Sequence, residues 1–171
     1  TPIDTRKAAD VAVKKLNYQG QYLVDADHIN LTNVDKFIEY SDFFTIDVAD
    51  FIGKVSDNDE IEHSMHKNRN LIGEILIPGI SIPISISLKL LEITTRKYFF
   101  AVSEAAKIYR HIETKKGKNN FIAEVSMDEV NDPQSPVELL IILAMLSQEN
   151  LPLQTIAPRF SGRFNKGVDY V

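Results

Sequence analysis

Apolar positions along the chain follow two alternating rhythms. Over Asp4 to Leu16, residues Ala8, Val11, Ala12 and Leu16 recur at helical spacing while Lys7, Lys14 and Lys15 lie off that stripe, which predicts an amphipathic helix. A Gln19-Gly20-Gln21 turn then leads into Tyr22–Asp27, a short, partly β-branched segment that predicts a strand. Thr32 and Asp35 have the spacing of a capping box for a short helix carrying Val34, Phe37 and Ile38. Phe43–Val48 predicts a second strand. A long helical pattern runs from Leu88 to Glu113 and stops at Lys115-Lys116-Gly117, basic residues before a glycine. Phe121–Ser126 predicts a third strand. Ser135-Pro136-Val137-Glu138 then combines an N-cap, a proline at the first helical position and an acid three residues after the cap, opening an apolar helix through Leu146. Leu153–Ala157 predicts a fourth strand.

Strands alternating with helices are the grammar of a parallel sheet with helical crossovers, so the fold class is α/β. Four strands make either half of an eight-stranded barrel or a small open sheet, and periodicity does not choose between them. Residues 54–87 break the repeat: a charged run from Asp57 to Asn70 precedes the apolar, Pro- and Gly-interrupted stretch Ile75–Ile86. This segment is expected to be an insertion after the second strand, lying over the mouth of the barrel.

Side chains alternate across a strand, and in all four strands one parity is polar near the C-terminal end. Asp25 and Asp27 share a face, as do Thr45 and Asp47, then Glu124 and Ser126 with Asp128 following, and Thr155 leading to Arg159. Barrels and open α/β sheets both place ligands beyond those ends. Carboxylates gathered there are costly unless paired, hydrogen-bonded or metal-bound, and several from separate strands point to a cation, with His28 able to add a nitrogen ligand. The competing roles are structural. A single Asp ending a strand can simply cap the next helix, as for Asp47 and Asp128, and Glu124 can sit in an ion pair. His63 and His66, three apart within the charged insertion, are expected to be surface residues, and His111 a packing or helix-end residue. The run from Arg159 through Arg163, Asn165 and Lys166 to Gly167 has the cations and glycines of an anion-binding loop.

Composition narrows the classes. The 171 residues are 44% hydrophobic, enough for one core and so one domain, and the net charge of −5 gives no general attraction to nucleic acid or anionic membrane. There is no cysteine, which excludes disulfides and thiolate metal sites and fits a reducing cytoplasm. The first twenty residues show no signal-peptide pattern, and no apolar run reaches the roughly 20 residues of a membrane span. No GxGxxG, Walker loop, HExxH or nucleophile elbow is present.

Five segments carry a family resemblance: Val24–Ile29 (VDADHI), Ser41–Gly53 (SDFFTIDVADFIG), Lys97–Val102 (KYFFAV) with Ile108–Ile112 (IYRHI), Ala123–Glu129 (AEVSMDE) and Ile156–Tyr170 (IAPRFSGRFNKGVDY). In that order they resemble the tagaturonate epimerase family, from about Leu23 to the last residue, the final motif being the most specific. The resemblance implies part of a (β/α)8 TIM barrel, in a chain shorter than the family's members. It implies a cytoplasmic isomerase of hexuronate catabolism that interconverts tagaturonate and fructuronate with a divalent metal ion (Mn, Zn, Ni or Fe).

The two ketouronates differ at a hydroxyl-bearing carbon β to the ketone, so deprotonation beside the carbonyl would invert the wrong centre. A retro-aldol route is expected instead. On strand parity, Asp27, His28 and Glu124 are assigned to the metal and Asp47 or Asp128 to acid–base work. Arg159, Arg163, Asn165 and Lys166 are assigned to the substrate. Two alternatives stand: a metal-dependent aldolase or isomerase acting on another sugar acid, or an inactive truncated half-barrel. Its open edges would need cover from a second copy or the remainder of the barrel.

Overall fold

The computed structural model describes residues 1–162. Its centre is a parallel four-stranded sheet of β1 (Asp25–Ile29), β2 (Phe43–Asp47), β5 (Ile122–Met127) and β6 (Thr155–Pro158), hydrogen-bonded in that order. Two helices make the crossovers. α3 (Leu88–Lys116) precedes β5, and α4 (Pro136–Gln148) joins β5 to β6.

The caps expected from sequence set both helices. Ser87 Oγ accepts from Leu90 N–H at the start of α3, and Gly117, at φ 85°, ends it in a conformation that favours glycine. Ser135 and Glu138 form the reciprocal capping box of α4, with Pro136 in its first turn. Behind the sheet, Ala26, Phe44, Ile46, Ala123 and Val125 meet Tyr98, Ala105, Ile108 and Ile112 of α3 and Ile141, Ile142 and Met145 of α4 in one continuous core. Phe121 packs edge-on against Phe44, ring centroids 5.8 Å apart, and at a tilt against Tyr109 at 5.1 Å.

The helix expected from Asp4 to Leu16 forms as α1 (Pro2–Lys15), but no residue in it is buried, and Val11 and Leu16 of its apolar stripe are 64% and 78% exposed. Arg6 fastens this helix, donating to Tyr40 O at 2.9 Å and pairing with the Asp42 carboxylate. The Thr32–Asp35 capping box does not form. Asn33 Oδ1 instead accepts Asn30 N–H at 2.8 Å, Val34–Lys36 is a single 3-10 turn, and Asp35 pairs with His111 at 2.6 Å and Lys115 at 2.7 Å. The first strand begins three residues later than expected, because Val24 N–H turns to the Asp42 carboxylate.

Between β2 and α3 the chain forms α2 (Asn58–Lys67) and an antiparallel hairpin of β3 (Gly73–Ile75) with β4 (Ile84–Ile86). The contacts of this excursion run to the helical layer rather than over the mouth: α2 packs on α3, β4 touches α4, and Asn68 exchanges two hydrogen bonds with Gln148, the last residue of α4. His63 and His66 are exposed on α2, as expected. Among the described residues, no helix is long and apolar enough to cross a membrane.

Candidate functional site

Register brings the polar residues together. Thr45 of β2 lies beside Glu124 of β5, which lies beside Thr155 of β6; one pleat further on, Asp47 adjoins Ser126 and Ser126 adjoins Ala157. Paired residues in neighbouring strands share a face, so these rows form the side of the sheet turned away from α3 and α4. Asp25 opens the same face, and Thr45 Oγ1 lies 3.4 Å from both of its carboxylate oxygens. Burial, and after it the Asp27 charge, hold the Asp25 carboxyl above its ordinary range, with Glu124 adding to the effect.

β1 is irregular at its end. Ala26 pairs with Phe44, but Ile29 pairs with Ile46, so three steps along β1 match two along β2. The extra residue is accommodated at His28, whose φ of 53° is in the left-handed region that a β-carbon disfavours. The distortion aims the imidazole. Asp27 Oδ1 holds Nδ1 at 2.7 Å, while Nε2 is buried without a hydrogen bond and has Glu129 Oε1 at 3.7 Å. Burial opposes the charged ring, but the hydrogen bond to Asp27 and the charges of Asp27, Asp47 and Glu129 outweigh it and raise the His28 pKa.

The other expected residues are placed as follows. Asp47 Oδ1 accepts Ala49 N–H at 3.0 Å, just before the 3-10 turn Ala49–Phe51, whose N-cap position is Val48. Asp128 Oδ1 accepts from Ser126 Oγ at 2.8 Å, and Arg159 Nη1 donates to Asp128 O at 3.3 Å. Glu124 stays half-buried on the strand face. Arg163, Asn165 and Lys166 lie outside the described residues. Among the described residues, no three His, Asp or Glu side chains converge closely enough to form a full metal-ligand set. A nitrogen donor held by a carboxylate, with further carboxylates nearby, fits a divalent ion in kind.

Several polar residues at this end of the sheet were not singled out from sequence. Glu129 approaches His28 from the loop after β5. Gln134, buried in the same loop, exchanges hydrogen bonds with Arg159: Gln134 N–H donates to Arg159 O at 3.0 Å and Arg159 N–H to Gln134 Oε1 at 2.6 Å. Lys97 and Tyr98 of α3 both bond Glu138 Oε1, at 3.1 and 3.2 Å.

A parallel sheet backed by crossover helices, with titratable groups gathered where its strands end, defines an α/β protein of the architecture that places ligands beyond its strand ends. Comparison with known proteins makes this more specific. The tagaturonate epimerase family profile matches residues 2–171, and the chain belongs to that family. It is 25% identical to a tagaturonate/fructuronate epimerase of Thermotoga maritima, over 90% of this chain and 34% of that protein. Its fold is similar to the fructuronate-tagaturonate epimerase of Cohnella laeviribosi. The TM-score is 0.76 for a glycerol-complexed structure and 0.69 for the native one, at 21% identity, over 96% of this chain and 36% of that one. The chain thus spans about a third of the length of the relatives it matches.

Proposed function

We propose that this chain forms part of a cytoplasmic enzyme that epimerises a ketouronate, converting tagaturonate to fructuronate in hexuronate catabolism. In this reading the parallel sheet is one half of a (β/α)8 barrel forming a single domain, and residues 54–87 are an insertion into it. Family membership supports the substrate class, and one geometric observation carries the site: His28, held at Nδ1 by Asp27 in a strained backbone, keeps Nε2 free at the strand ends. Such strain persists where the surroundings over-determine it, as at functional sites.

Asp27, His28 and Glu124 are the donors proposed for a divalent ion, Asp27 fixing which imidazole nitrogen would face it; they do not make a complete ligand set by themselves. A bound ion would supply a Lewis acid for the ketone and the hydroxyl beside it. The residues of the chain do the rest. Asp47 or Asp128 takes the proton of the β-hydroxyl, and that oxygen becomes an aldehyde as the carbon–carbon bond breaks toward the ketone. The aldehyde turns its other face, the bond re-forms, and the same carboxyl returns the proton to the new alkoxide. Arg159, together with Arg163, Asn165 and Lys166, binds the substrate carboxylate and so keeps the aldehyde fragment, which carries it, from leaving.

The test is to incubate the intact protein with tagaturonate, with divalent ions or with chelator, and follow fructuronate by NMR. Conversion that requires the ion and is lost in His28→Ala supports the reading. A protein that binds the ion and yields two shorter fragments is an aldolase, and that alternative replaces it.

A further inference from the structure

A polar recess of about 310 Å³ lies beside the strand ends, its walls including Ile52 after β2, Lys97 and Tyr98 on α3, and Glu129, Asp132 and Gln134 of the β5–α4 loop. Gln134 is the informative wall. It is 9% exposed, and its Oε1 accepts from Arg159 N–H at 2.6 Å. Only the oxygen of a side-chain amide can accept, so this contact fixes the orientation of the group and leaves Nε2 at the other end. That nitrogen is buried and makes no hydrogen bond. The Tyr98 hydroxyl, which donates to Glu138 Oε1 at 3.2 Å and keeps lone pairs of its own, lies near enough to feel the amide, but its approach to Nε2 falls short of hydrogen-bond geometry. A buried donor without an acceptor is destabilising and calls for an explanation, of which an absent ligand is one.

The charges say which ligand. Lys97 is tied to Glu138 at 3.1 Å, so its charge is largely neutralised within the protein. Glu129 and Asp132 then leave the recess with no surplus of positive charge, which disfavours an anion. A neutral hydroxylated chain fits better: one oxygen accepts from Gln134, and hydroxyl protons go to the two carboxylates. The recess also adjoins the strand-end group, because Glu129 lies 3.7 Å from His28 Nε2.

We propose that this recess is a polyol subsite, which takes the hydroxyl-bearing carbon chain of an open-chain sugar acid while the acid's carboxylate lies toward Arg159. The proposal rests on the sugar-acid reading above, and its test separates the two. In the intact protein, the side-chain amide signals of Gln134 are followed by NMR during titration with three probes. These are erythritol, a diol of the same chain length lacking the inner hydroxyls, and acetate.

Erythritol alone is expected to shift these signals to saturation. Gln134→Glu keeps an oxygen toward Arg159 and removes the donor. It is expected to abolish erythritol binding and to raise KM for the sugar acid about tenfold with kcat much less affected. Asp132→Ala, on the exposed rim, is expected to change KM in the same direction and carries the test if Gln134→Glu fails to fold. A protein that converts tagaturonate while erythritol leaves Gln134 unmoved, or while acetate moves it instead, overturns the subsite and spares the function. Saturation by erythritol without conversion of tagaturonate supports the recess as a polyol site and overturns the function.

Discussion

Asn68 and Gln148 exchange two hydrogen bonds, Nδ2 to Oε1 at 3.1 Å and Nε2 to Oδ1 at 2.8 Å, across 80 residues of chain. Asn68 is 1% exposed and Gln148 half-buried, so the pair is partly shielded from water. It fastens the excursion after β2 to the end of α4. Asn68→Ala should cost about 1–3 kcal/mol, because the Gln148 amide loses both partners. The double replacement by leucine should cost less than the sum of the single ones. Urea unfolding of the four proteins measures the coupling, and additive losses would show that the pair contributes nothing of its own.

His28 places function and stability in opposition. Its φ of 53° suits glycine, so His28→Gly should leave stability within about 1 kcal/mol of the parent, or raise it, while abolishing turnover. Chemical denaturation and the tagaturonate assay read the two effects separately. A loss beyond about 2 kcal/mol would mean that the imidazole is a structural member rather than a strained functional one.

Glu138 should make stability depend on acid. Burial pushes its carboxyl up, but hydrogen bonds from the Ser135 backbone and hydroxyl and from Lys97 outweigh this and lower its pKa from the ordinary 4.5. A carboxyl lowered in the folded state adds stability that is complete above its unfolded value and is lost as pH falls through its folded value. The stability gap between the parent and Glu138→Gln should therefore be widest near about pH 7 and close below 4.5. A gap that stays constant across that window would remove the ionic contribution and leave only the cap.

α1 should come loose without unfolding the rest. No residue of the helix is buried, and Arg6 holds it through Tyr40 and Asp42. Arg6→Ala is expected to speed amide exchange over residues 2–15 severalfold while shifting the global unfolding midpoint little, since a part-exposed pair contributes only about 1 kcal/mol. Hydrogen exchange with mass spectrometry resolves the two regions. Equal acceleration in α1 and the strands would contradict a separate latch.

How much of this was legible before the structure differs by element. α4 was readable down to its cap, because Ser135, Pro136 and Glu138 act within one helical turn and need no distant partner. The strands and their polar face were readable because a period of two survives whatever packs against it. Register was not, and with it went the placing of Thr45 beside Glu124. The stripe on α1 gave the helix but not its exposure, because helical spacing says a face is apolar, not that anything covers it. Glu129 and Gln134 escaped because loop residues follow no period; the signal for Gln134 is the hydrogen bonds it shares with Arg159, 25 positions away. His28 was singled out for its chemistry, while its left-handed backbone could not be foreseen from a histidine code.

The five-residue register between β2 and β5, from Phe43 beside Ile122 to Asp47 beside Ser126, has a genetic consequence. Loss of a single codon inside either strand would exchange the two faces downstream, sending Ile46 to the ligand side and Asp47 into the core. Codons gained or lost at the mostly exposed tip of the excursion, residues 76–83, would leave both faces of the sheet in place. Divergence in length among descendants of this gene should therefore accumulate in that excursion, while the strand segments change by substitution alone.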